Sequence, residues 1–249
     1  MNVRSLRAAM LASGLLFTSG FASAAELTLL ISNAVKTVME DIAPRFESAT
    51  GHKLHITYGS TNPTKALIQK GETFDLTVLG EAAVDDLIKQ GLLTASSRTL
   101  IARSALGVAV LKGTPKPDIG TSDAFKRTML NAKSIAFLDD GLTGTYLKVL
   151  FQRLGIADAM QAKHKGVRGA EAVAAGEVEL GVTQISEILF QKGTELAGPL
   201  PPEIQNYTNF AAAVSAKAKQ PAVAGELLRY FQSADAVRVM KANGLEPGK

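Results

Sequence analysis

Three places in this 249-residue chain put hydroxyl, amide and small residues where an apolar run gives way to a helical pattern: Ser32-Asn33-Ala34, Gly59-Ser60-Thr61-Asn62 and Gly141-Leu142-Thr143-Gly144-Thr145. Such turns can hold an anion. A helix that starts there presents unpaired backbone N–H groups and the positive end of its dipole. Hydroxyls add donors, and small residues let a ligand approach the backbone. The same residue types also serve as helix caps, so one junction alone says little; three flanking one cleft say more. A fourth candidate is Arg168, in Gly166-Val167-Arg168-Gly169 at the start of a further helical run. Its guanidinium fork suits a carboxylate, and it could equally form a surface ion pair.

Catalytic alternatives have weaker support. His52 and His55 stand three apart on an expected strand and so face opposite sides, which rules out a shared metal; His164 is isolated among lysines. Asp139-Asp140-Gly141 could be an acid–base pair but reads more simply as a solvated turn, and Asp85-Asp86 as an exposed helix face. Gly-x-Ser-x-Gly, the P-loop and His-Glu-x-x-His are absent. No metal and no cofactor is expected, and the chain reads as a binding protein rather than an enzyme.

The elements that must position these turns follow from hydrophobic spacing. Glu26–Ile31 reads as a strand, and Val35, Val38, Met39, Ile42 and Phe46 as one face of a helix that stops at Gly51. His52–Tyr58 alternates as a strand, with Leu54, Ile56 and Tyr58 on one face. A helix through Ala66 and Leu67, a buried strand Leu76–Leu79 and a helix 82–90 complete a βαβαβα block, which predicts a parallel or mixed sheet. A strand 105–111, helices 122–131 and 145–154, a strand 134–138, a helix 170–175 and a strand 180–183 form a second α/β block. After the proline-rich 198–202 come a strand 210–215 and two helices. That last piece is too small to fold alone and should dock on the first block. The expected organisation is one lobe of 25–105 plus 207–249 and a second of 106–206, with the ligand cleft between them.

Residues 1–24 look like a secretory signal: Arg4 and Arg7, an apolar run from about Ala8 to Phe21, then Ala22-Ser23-Ala24. The run is short for a membrane span and is broken by Ser13, Gly14, Ser19 and Gly20. Cleavage is expected after Ala24, leaving a periplasmic chain. Without Arg4 and Arg7 that chain has 25 basic and 23 acidic residues, a balance that argues against nucleic acid or a polybasic membrane surface as partner. It has no cysteine, so disulfides, thiolate metal sites and a lipid anchor built on cysteine are excluded. Hydrophobic residues make up 46% of the chain, enough for real cores.

Over nearly all of this length the chain resembles the periplasmic molybdate-binding branch of the type II solute-binding proteins of ABC importers. The resemblance rests on Ala25-Glu26-Leu27-Thr28-Leu29, Ile42-Ala43-Pro44-Arg45-Phe46-Glu47 and Thr50-Gly51-His52-Lys53, and on Gly71-Glu72-Thr73-Phe74-Asp75-Leu76. It extends through Gly144-Thr145-Tyr146-Leu147-Lys148, Val167-Arg168-Gly169-Ala170, Leu180-Gly181-Val182 and the terminal Ser233–Leu245. It implies a two-lobed α/β receptor that closes on a small anion and hands it to a permease, acting as a monomer. It also implies a site. The family's first-turn serine falls on Ala34, its second-turn serine on Thr61, a small apolar residue on Thr143, the amide-donating valine on Val167 and a tyrosine on Gln184. Two of three side-chain hydroxyl donors are therefore replaced. Each such bond to a charged group contributes roughly 1.5–3 kcal/mol, and about 1.4 kcal/mol is tenfold in affinity. The expected ligand is accordingly an organic carboxylate in preference to molybdate or tungstate, contacted by Asn33, Ala34, Ser60, Thr61 and Asn62 from one lobe and Thr143, Thr145, Val167, Arg168 and Gln184 from the other. A periplasmic hydrolase or isomerase on the same fold is the alternative from another class.

Overall fold

The computed structural model describes residues 24–248; apart from Ala24, the expected signal sequence lies outside them. The first block forms as its periodicity dictates. Strands β1 (Glu26–Ser32), β2 (Lys53–Gly59) and β3 (Leu76–Gly80) are parallel in the order β2-β1-β3, joined by helices α1 (Lys36–Thr50) and α2 (Thr61–Gln69) and followed by α3 (Glu81–Lys89). Ser32 pairs with Gly59 and Ile31 with Val78, so the carboxyl ends of the three strands share one edge. β3 is buried throughout because both sheet faces are covered.

The long strand β4 (Thr99–Leu111) then leaves this sheet for a second one. There follow α4 (Ser122–Asn131), β5 (Ile135–Ala136), α5 (Leu142–Arg153), α6 (Ala157–Gln161), β6 (His164–Lys165), α7 (Gly169–Ala174), β7 (Leu180–Gln184), α8 (Ile185–Phe190) and β8 (Thr194–Pro199). β5 is parallel to β6 and β7, while β7 and β8 run antiparallel to β4. Strand β9 (Tyr207–Val214) returns to the first sheet between β3 and β4. Helices α9 (Pro221–Phe231) and α10 (Ala234–Ala242) and the short β10 (Glu246–Pro247), paired to β4, complete the fold.

Each sheet has its own core. In the first, Leu27, Leu29 and Ile31 meet Phe46, Leu227, Phe231 and Met240, while the opposite face packs Leu79 against Val84 and Leu87. In the second, Leu106, Val108 and Val110 pack with Phe125, Met129, Leu147 and Phe151, and Ala109 and Ala136 with Val173 and Ile188 on the other face. Fully burying each such Leu, Val or Phe contributes roughly 1.5–3 kcal/mol, so both sheets have the apolar contacts of stable lobes.

Several elements differ from the expectations. α2 and α5 begin at Thr61 and Leu142, so the expected turns are themselves first helical turns, entered from the extended Ser60 and Gly141. Gly144 sits in that first turn of α5 with the Leu138 carbonyl 2.2 Å from where a Cβ would stand. No other residue fits without displacing the backbone. β5 is shorter than expected, and α6, α8 and β8 had no sequence signal; a helix of five or six residues shows too little periodicity. His52 precedes β2 rather than lying in it, and is buried with Nδ1 accepting from the Ala25 N–H at 3.1 Å.

Candidate functional site

The strand ends and helix starts converge on two adjoining cavities between the lobes, of about 50 and about 60 Å³. The first is lined by Ser32, Asn33 and Ala34 where β1 ends, by Ser60 and Thr61 at the start of α2, by Gly141, Leu142 and Thr143 at the start of α5, and by Thr183, Gln184 and Glu187. The second takes Asn33, Thr183 and Glu187 as a shared wall and adds Lys36, Thr37, Arg168 and Glu171.

Six of the ten expected contacts thus meet at the first cavity: Asn33, Ala34, Ser60, Thr61, Thr143 and Gln184. Their hydrogen bonds leave donors for a ligand. Thr61 Oγ1 accepts from the Gly80 N–H at 3.2 Å, which uses a lone pair and keeps the hydroxyl proton. Ser32 Oγ caps the turn before α1, accepting from the Ala34 N–H at 3.4 Å. Gln184 is buried, and its Nε2 donates to Thr208 Oγ1 at 3.0 Å and more weakly to Thr143 Oγ1 at 3.5 Å. Its Oε1 is buried without a protein partner.

The other four are placed differently. Arg168 lines only the second cavity, pairs with Glu171 at 3.1 Å and keeps 44% of its side chain exposed. Asn62 is exposed at the cleft mouth, where Nδ2 donates across it to the Asp140 carbonyl at 2.9 Å. Thr145 is exposed one turn into α5, its hydroxyl donating to the Gly141 carbonyl at 3.1 Å; Val167 is exposed as well, and neither lines either cavity. Helical geometry explains Thr145: with α5 starting at Leu142, position 145 is rotated away from Thr143.

Sequence reasoning placed Ser32 in a candidate turn but missed Lys36, Thr183, Ser186 and Glu187. The last two follow from missing α8. Ser186 is fully buried, and its Oγ donates to the Ala34 carbonyl at 2.7 Å, tying the lobes together. Glu187 accepts from the Thr183 hydroxyl, and burial pushes its carboxyl above the usual range, opposed in part by that bond and by Arg168. The remaining titratable candidates stand elsewhere. His55 is exposed beside Glu26, His164 stacks on Phe137 and reaches its carbonyl, Asp139 pairs with Lys148 at 2.8 Å, Asp85 with Arg98 and Asp86 with Lys65. Among the described residues no cluster of three or more His, Cys, Asp or Glu side chains could hold a metal.

Two sheet-and-helix lobes with helix starts aimed into the cleft define a type II solute-binding protein of the kind that serves ABC importers. The comparisons name the family: residues 27–246 match the model of the bacterial extracellular solute-binding proteins, and the chain belongs to that family. It is 34% identical over 230 residues to an aconitate isomerase of a Pseudomonas species, covering 89% of this chain and 87% of the relative. It is 28% identical over 231 residues to the molybdate-binding protein ModA of Azotobacter vinelandii, covering 90% of each. Among solved structures, the periplasmic molybdate-binding protein of Azotobacter vinelandii superimposes with a TM-score of 0.76 at 20% identity, over 90% of this chain and 100% of that one. The chain is a molybdate-binding-protein-like member of its family in fold.

Proposed function

We propose that this protein is a periplasmic receptor that captures a small organic polycarboxylate by closing its lobes, 25–105 with 207–249 against 106–206, and delivers it to an ABC permease. The observation that carries the reading is the pair of adjoining cavities. Helix starts and hydroxyls surround the first, Lys36 and Arg168 stand at the second, and Asn33, Thr183 and Glu187 form the wall between. An anion with carboxylates at both ends of a carbon skeleton matches that arrangement; a compact tetrahedral oxyanion needs only one cavity. Ala34 and Gln184, in place of the family's hydroxyl donors, support the same choice. Binding biases closure because it draws on both lobes at once: Ser60 and Thr61 from one, Thr143 and Gln184 from the other.

The aconitate isomerase relative favours a second reading, in which the same cleft takes an unsaturated tricarboxylate and isomerises it.

A thermal-shift series tests the binding. A ligand at 100 times its Kd adds about 2.7 kcal/mol, and about 1 kcal/mol moves Tm by roughly 2–4 °C in a chain of this size. Citrate, cis-aconitate and trans-aconitate are expected to raise Tm by roughly 5–10 °C on those figures. Molybdate, tungstate and sulfate are expected to do little. A shift with molybdate and none with any carboxylate would overturn the reading.

A further inference from the structure

Glu187 stands where an anion receptor has no use for it. It lines both cavities, at their common wall, with Lys36 and Arg168 on one side and the starts of α2 and α5 on the other. A carboxylate ligand spanning the two would set its charged ends among those donors and pass its carbon skeleton along Glu187. An ionised acid there repels the ligand's charges. A carboxyl that exchanges a proton with the skeleton does not have to stay ionised.

The surroundings equip it for exchange. Arg168 is engaged by Glu171 at 3.1 Å, and Lys36 lies over the Tyr58 and Phe190 rings, 5.6 and 5.4 Å from their centroids, with Glu40 at 3.7 Å. The Thr183 hydroxyl, donating to Glu187, fixes the carboxyl's orientation. Burial raises the basicity of the carboxylate, and a bound polyanion raises it further, toward the range where general-base work at neutral pH is efficient. A carboxyl that only capped α8 would do so equally well in the open.

Resting on the polycarboxylate reading above, we propose that Glu187 is the proton-transferring residue of a 1,3-allylic isomerisation of an unsaturated tricarboxylate. The Glu187 carboxylate removes a proton from the CH2 beside the double bond. That C–H electron pair becomes the new C=C, and the former π pair shifts to the far carbon, the charge spreading into the adjoining carboxylate. The same carboxyl returns the proton to the far carbon. Substrate and product are isomers, Glu187 is regenerated, and no water, metal or oxidant is consumed. Helix starts and the two cations stabilise the charge that develops between the two transfers.

The experiment follows trans-aconitate by proton NMR in D2O with the full-length mature protein, beside thermal shift with the same compound. Wild type is expected to produce the cis isomer and to exchange the two carbon positions with deuterium, with kcat/KM rising with pH through one ionisation. Glu187→Gln is expected to keep its thermal shift and lose at least a hundredfold in kcat; Glu187→Asp, which keeps the charge on a shorter stem, should retain part of the activity and provides the test if Glu187→Gln does not fold. A wild-type protein that binds trans-aconitate without isomerisation or exchange overturns this inference and leaves the receptor reading standing. Turnover undiminished in Glu187→Gln overturns the assignment to this residue. Absence of any carboxylate binding overturns the receptor reading and this inference together.

Discussion

Replacing Gln184 by methionine should separate stability from binding. The two side chains have similar length and volume, so the wall of the first cavity keeps its shape. In the free protein Gln184 Oε1 is buried without a partner, and an orphaned buried acceptor costs about 1–3 kcal/mol. Against its removal stands the loss of the Nε2 bond to Thr208 at 3.0 Å, about 0.5–1.5 kcal/mol; the contact to Thr143, at 3.5 Å, is too long to add much. The free Gln184→Met protein should therefore be more stable than wild type by roughly 1 kcal/mol, a rise of about 2–4 °C in Tm. Binding moves the other way. If the Nε2 proton held only weakly by Thr143 at 3.5 Å turns to a charged ligand, that bond contributes about 1.5–3 kcal/mol, so affinity should fall roughly 10- to 100-fold. Differential scanning calorimetry without ligand and titration calorimetry with citrate or trans-aconitate read the two effects. A fall in Tm together with unchanged affinity would refute the reasoning, because it would make Gln184 a structural amide and not a ligand contact.

Ser186→Ala removes the buried bond from Ser186 Oγ to the Ala34 carbonyl without changing a side chain that lines either cavity. At about 1 kcal/mol for such a bond, titration calorimetry should show affinity lowered roughly fivefold, with the ligand preference unchanged. Glu187→Gln should alter the pH dependence of stability. The native carboxyl titrates above its ordinary 4.5, so its contribution is fully present below about 4.5 and is lost as pH rises through the raised native value. Tm measured against pH should decline over that window in wild type, and the decline should be smaller in Glu187→Gln. Arg168→Ala should weaken tricarboxylate binding only roughly threefold to tenfold, since a half-exposed guanidinium already paired with Glu171 contributes modestly. Titrations at low and high salt should show the difference shrinking as salt rises.

The fold was largely legible because its signals are periodic and local. β1 and α1 announce themselves by alternation and helical spacing, and the helix expected near 122–131 is α4. The turns of the first cavity were legible because Ser60, Thr61 and Thr143 are the residue types that a helix start and an anion both require. What stayed hidden is what depends on contacts between distant segments. Glu187 belongs to a six-residue helix that follows β7 without a loop, and nothing in its neighbours Ser186 and Ile188 says that it faces a cleft. The resemblance to molybdate-binding proteins supplied Val167, while Thr145 came from the polar turn before α5 and Arg168 from its own guanidinium. Thr145 faces outward because α5 starts at Leu142, three residues before the expected helix.

The place where the lobes join is narrow. β4 leaves the first sheet and β9 returns to it side by side, Ser104 opposite Thr208 and Ala105 opposite Tyr207. Just before this point β4 is held on its other flank as well, by β10 at Ala102 and Arg103. Arg103 adds a bond to Glu246 at 2.7 Å and lies over the Tyr207 ring at 4.8 Å. Just beyond it, from Leu106 onward, β7 and β8 take over. Under the proposed closure, opening would flex a two-stranded ribbon about two residues long, held at both ends, instead of swinging on a free loop. The carboxyl-terminal segment acts as a splint on that ribbon. Residues 246–247 line neither cavity, yet under the proposed closure their pairing with β4 would set the resistance against which ligand binding and release work.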